Sequence, residues 1–136
     1  MITYSTRGTD MPELDRPRIE RWMTRVGAVY GKRIGRINYV FCNDAEELAV
    51  NQQFLQHDYL TDVITFDYST RGLLSGDVFI SLDMIRSNAD EFGADFATEL
   101  RRILIHGLLH LTGQGDKTPE TRRQMTEKED AALAMY

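Results

Sequence analysis

His106-Gly107-Leu108-Leu109-His110-Leu111-Thr112-Gly113-Gln114-Gly115-Asp116 is the stretch on which the reading of this 136-residue chain turns. Residues four apart on an α-helix share a face about one turn apart, so His106 and His110 can aim their imidazoles at one point. Gly113 can take the left-handed conformation that ends a helix, and Gly115 loosens the turn that follows. Asp116 then arrives where a third ligand belongs. Two imidazoles and a carboxylate leave a fourth position for water, the donor set of a catalytic rather than a structural zinc site. One zinc ion per chain is expected, held by His106, His110 and Asp116.

A bare pair of histidines four apart on an apolar helix reads equally well as a satisfied core pair. The glycine and the carboxylate at these offsets favour the metal. The helical wheel agrees: Leu100, Leu104, Leu108 and Leu111 form one packed face, and both histidines lie on the other. The glutamate that follows the first histidine in HExxH peptidases is missing, because position 107 is glycine. Glu99 shares the histidine face but stands about two turns earlier, roughly 10 Å by helical rise, and reads as a surface or supporting residue. A peptidase would need a base from elsewhere. Zinc alone can bring the pKa of water near 7 and offset charge on a phosphoryl oxygen, so phosphodiester hydrolysis is open to this site.

Outward from the metal helix, hydrophobic periodicity lays out the rest. Pro12 and Pro17 frame a loop before a helix over about 18–30, where Ile19, Trp22, Met23, Val26 and Val29 fall at helical spacing. Arg36–Cys42 is a β-branched and aromatic run, read as a strand. Asn43-Asp44 caps a helix reaching about Phe54, with Glu46 and Glu47 in its first turn and Leu48 and Phe54 as its buried residues. Asp62–Asp67 and Asp77–Ser81 read as strands, with Gly72 and Gly76 marking turns. Helices are predicted over 82–92 and 96–112, broken at Gly93, and Pro119 opens a last one over about 120–135. At least three strands and about five helices give an α+β domain spanning 1–136, with helices packed on one small mixed sheet.

Composition adds bounds. Hydrophobic residues make up 42% and charged residues 27% of the chain, as in globular domains. The net charge of −5 argues against a blanket nucleic-acid binder but allows a local basic patch. Cys42 is the single cysteine, so neither an intrachain disulfide nor a cysteine-rich metal knuckle is available. Met1–Arg7 lacks the apolar core of a signal peptide, and no stretch approaches a membrane span. A cytoplasmic domain with no membrane contact is expected.

The His106–Asp116 stretch resembles the H-G-x-L-H-L-x-G-x-D-H signature of the YbeY family, bacterial rRNA maturation factors. Asn51-Gln52-Gln53-Phe54-Leu55-Gln56-His57-Asp58, followed by Thr61-Asp62-Val63-Ile64-Thr65-Phe66, is similar to a second family block. Gly76-Asp77-Val78-Phe79-Ile80-Ser81 is similar to its G-D-I-x-I-S strand, and Met125 with Glu127 to Asp130 matches its closing helix. The resemblance covers roughly residues 33–133. It implies a zinc-dependent, single-strand-preferring endoribonuclease that helps mature the 3′ end of 16S rRNA and surveys ribosome quality. It also implies a core like that of the zinc peptidases, with the ribosome or ribosomal proteins as partners. Two positions depart from the pattern. The family's third ligand is usually histidine, while here it is Asp116, as in one branch of the family. An arginine implicated in activity is replaced by Leu55.

An RNase needs positive charge along its groove, since phosphate contacts dominate affinity. Lys32, Arg33, Arg36, Arg101, Arg102 and Lys117 are the candidates, each also readable as a solvated surface charge. Arg102, one turn before His106 on the same face, and Lys117, beside the third ligand, are the foremost. His57 is a weak catalytic candidate in a polar loop. Asp62 and Asp77 can cap turns as readily as orient ligands, and no general base is identified. A metallopeptidase with an outside base, and a non-enzymatic ribosome-assembly factor pinned by metal, are the alternatives.

Overall fold

The computed structural model describes residues 1–55 and 62–136. Its elements run β1 (Ile2–Arg7), α1 (Arg16–Val29), β2 (Arg33–Cys42), α2 (Asp44–Leu55), β3 (Val63–Asp67), β4 (Leu73–Ser81), α3 (Leu82–Phe92), α4 (Phe96–Leu111) and α5 (Pro119–Leu133). The sheet order is β1-β2-β4-β3. β1 and β4 pair with β2 in parallel, and β3 runs antiparallel to β4 along the edge. The expected α+β class, with a small mixed sheet and about five helices, is what the chain adopts.

Side chains alternate across a strand, so the register fixes which residues share a face. Ile37, Tyr39 and Phe41 of β2 stand beside Gly76, Val78 and Ile80 of β4, which stand beside Asp67, Thr65 and Val63 of β3. That face carries α1 and α4. Trp22, Met23, Leu104 and Leu108 are fully buried against it, and the Tyr39 hydroxyl donates to the Leu104 carbonyl at 2.8 Å. α2 covers the other face. There the Ser81 hydroxyl donates to Asp44 at 2.6 Å, and Phe54 meets Phe66 edge-on.

Several boundaries differ from the sequence reading. β1 was not anticipated as a strand, and β4 begins at Leu73 rather than Asp77. Gly76 is therefore no turn residue but a strand position under close approach. A Cβ there would sit 2.4 Å from the Phe66 carbonyl oxygen and 2.8 Å from Leu111. Gly72 does turn the chain, at φ +78°. In α2 the cap is Asn43, whose side chain accepts from the Glu46 amide at 2.8 Å, while Asp44 turns to Ser81. The helix buries Glu47, Val50 and Asn51, whereas Phe54 is 58% exposed and Leu48 half-buried. Among the described residues, no helix is long and apolar enough to cross a membrane.

Candidate metal centre

The site grows from the C-terminal end of α4. Leu100, Leu104, Leu108 and Leu111 anchor that helix in the core, as the wheel predicts. This turns His106 and His110 towards a cleft of about 780 Å³ beside the β3 edge. Gly113, at φ +101°, ends the helix, and the Gly113 and Gln114 amides donate to the His110 and Leu109 carbonyls. The chain doubles back far enough to deliver Asp116. α5 then starts at a reciprocal Thr118–Thr121 cap and returns along α4.

His106 Nε2 and His110 Nε2 lie 2.9 Å apart, and Asp116 Oδ2 is 3.3 Å from each. Their other ring nitrogens are engaged. His106 Nδ1–H donates to Glu129 Oε2 at 2.6 Å, and His110 Nδ1–H donates to the Gln114 carbonyl at 2.9 Å. These bonds fix both tautomers, leaving a lone pair on each Nε2. Two lone pairs and a carboxylate oxygen thus converge on one point, an arrangement that only a shared proton or a cation relieves. Ligands about 2.05 Å from one tetrahedral ion stand roughly 3.3 Å apart, close to the spacing observed. His106, His110 and Asp116 form a group able to bind a metal.

Glu129 holds this arrangement from behind. It is buried, at 7% exposure, and its second oxygen accepts from Arg102 at 2.8 Å. Arg102 also donates to Asp130 at 2.6 Å. A buried carboxylate needs such partners, and Glu129 has one cation and one imidazole. Burial opposes charge on His106, but the hydrogen bond and charge of Glu129, aided by Asp62 and Asp116, outweigh it and raise its pKa. For His110, burial and then the neighbouring His106 lower the pKa against the pull of Asp116.

Gly107 now has a physical reason. A Cβ at that position would lie 2.8 Å from Val78 Cγ1 on β4, so α4 rests on the sheet at a point where no side chain fits. Position 107 faces the sheet rather than the cleft, so it could not present an acid to the metal group.

The other sequence candidates are distributed unevenly. Asp62 and Lys117 line the cleft. Asp77 accepts from Asn38 at 2.9 Å on the sheet face away from the metal group. Arg101 stacks on Tyr136, 4.5 Å from the ring centre. Lys32, Arg33, Arg36 and Glu99 do not line the cleft. His57 lies outside the described residues. The cleft also holds residues that sequence reasoning did not single out: Glu129, Thr65 and Arg122. Among the described residues, nothing hydrogen-bonds the buried Thr65 hydroxyl. A signal for the α5 residues existed, since Arg122, Met125, Thr126 and Glu129 fall on one helical face.

A sequence profile described as Endoribonuclease YbeY matches residues 6–136. A protein named Endoribonuclease YbeY from Bacteroides thetaiotaomicron is 54% identical over 134 residues, 98% of either chain. Its namesake from Phocaeicola vulgatus is 50% identical over 135 residues, 99% of this chain and 98% of that one. The solution structure of TM1509 from Thermotoga maritima shares the fold at a TM-score of 0.71 and 24% identity, covering 99% of this chain and 88% of that one.

Proposed function

The chain belongs to the YbeY endoribonuclease family, and on that premise we propose that it is an endoribonuclease using zinc, held by His106, His110 and Asp116, to cut single-stranded RNA. The substrate we assign is the 3′ region of the 16S rRNA precursor, met in the cytoplasm on or near the ribosome. The observation that carries the metal reading is the convergence of three acceptor atoms with 2.9–3.3 Å between them. When bound, zinc supplies Lewis acidity towards a phosphoryl oxygen and brings the pKa of water near 7.

The residues of the chain do the rest. Glu129 and the Gln114 carbonyl orient the two imidazoles, and orientation of this kind raises ligand basicity. Arg102 pairs with the Glu129 carboxylate at 2.8 Å and so holds it in place behind His106. The cleft above the ligands runs between β3 and α5, which line it, leaving room for an extended strand. Gly107 gives no base beside the first histidine, which weighs against peptide hydrolysis.

Purified protein incubated with single-stranded RNA and, separately, with casein is the test. RNA cleavage that stops with a chelator, returns with zinc and is lost in His110→Ala is the expected result. Cleavage that survives His110→Ala would sink the assignment, and chelator-sensitive casein cleavage would replace it with a peptidase.

A further inference from the structure

Deepening that assignment and resting on it, we propose that Arg122 on α5 grips a phosphate flanking the one at the metal, so that the RNA backbone runs along the α5 wall of the cleft. Its two walls differ in charge. The α5 side carries Lys117 and Arg122, and its carboxylates Asp116 and Glu129 are engaged with the histidines and Arg102, whereas Asp62 and Asp67 line the β3 side. A polyanion entering between them is drawn to the first wall and repelled by the second.

The two cations are also uncommitted. Arg102 is bound to two carboxylates, but among the described residues neither Lys117 nor Arg122 makes an ion pair. Both are exposed, so a phosphate meets them without breaking a partner. Arg122 stands on the same face of α5 as Glu129, seven residues away and so about 10 Å by helical rise. One helix therefore orients a metal ligand at one end and presents a guanidinium further along the cleft. That offset suits a neighbouring phosphate rather than the reacting one. A guanidinium offers a planar fork of donors that matches phosphate oxygens. The charge contrast also leaves the bases facing β3.

The test uses zinc-loaded full-length protein and a single-stranded oligoribonucleotide of roughly a dozen nucleotides, fully 2′-O-methylated for binding and unmodified for cleavage. Each phosphate contact to single strands contributes about 0.7 to the slope of log affinity against log salt. Arg122→Gln is expected to reduce that slope by about 0.7 and raise KM about tenfold at moderate salt, with kcat and zinc content within about twofold of the parent. Arg122→Lys should restore most of the slope. Arg123→Gln, an exposed neighbour outside the cleft lining, should leave it unchanged. An unaltered slope in Arg122→Gln overturns the inference, as does an equal drop in Arg123→Gln. If the parent binds RNA with an Arg122-dependent slope yet cleaves nothing, the catalytic assignment falls and this contact stands. If it cleaves with a slope indifferent to Arg122, the reverse holds.

Discussion

Glu129 shows how much of the site rests on one buried side chain. It fixes the His106 tautomer, and removing such a partner ordinarily costs 10–100-fold in metal affinity. Glu129→Ala is therefore expected to weaken zinc binding by about that factor, read by competition with a chromophoric chelator. Glu129→Gln keeps an acceptor for Nδ1–H and should lose less. Equal affinity in all three proteins would remove Glu129 from the site. Cys42 gives a contrasting expectation. Burial pushes its thiol up to about 11 against the pull of Arg7, so it should resist a thiol reagent at pH 8 in the native protein. It should react fully once the chain is unfolded in urea. The convergence of His106, His110 and Asp116 was legible because helical spacing and one glycine determine where Asp116 can go. Glu129 was not, because its contact with His106 spans 23 residues and depends on the path of the intervening turn.

At the level of elements, α4 and β4 are matched through glycine. Gly107→Ala gains about 1 kcal/mol in helix propensity but forces a methyl group against the buried, β-branched Val78, at about 1–3 kcal/mol for overpacking. A net loss of about 1 kcal/mol by urea denaturation is expected, vanishing in a Val78→Ala background. Gly107→Glu should be worse by several kcal/mol, since it also buries a charge, and it should confer no casein hydrolysis. A neutral Gly107→Glu would mean that the helix does not rest on the sheet there. The period of 3.6 made α1, α3 and α4 readable within two or three residues. β1 gave no signal in the sequence because Ile2 is its one buried residue and the rest of it is exposed or half-buried, without an apolar run. In α2 the leucine and phenylalanine looked like core, but the face that packs carries Glu47 and Asn51.

Across the whole molecule the sequence revealed the class but not the topology: nothing in a strand's own residues says that β4 inserts between β2 and β3. That insertion puts Val78 under α4 and the β3 edge beside the metal group. His106, His110 and Asp116 bring the end of α4 and the loop before α5 together, so a metal bound there would be coupled to the folded state alone. At free zinc 100-fold above its dissociation constant the fold should gain about 2.7 kcal/mol, or about 5–15 °C in Tm for a domain of this size. The gain depends on pH through the imidazoles. In the metal-free protein His106 titrates above its ordinary value of 6.5. Its charged form therefore stabilises the fold fully below pH 6.5, and that contribution is lost as pH rises through the folded value. His110 titrates below 6.5, so its neutral form contributes above that pH and the contribution is lost as pH falls through its folded value. Near pH 6.5 the pair thus shares one proton, held by His106 and donated to His110 across the 2.9 Å contact. A metal ion bound at this pair must displace that proton. The difference in Tm with and without zinc should therefore widen as pH is raised from about 6 to 8, followed by scanning calorimetry at constant free zinc. A difference that stays constant over that range would mean that zinc binds without competing for the His106 proton, and so not at this pair.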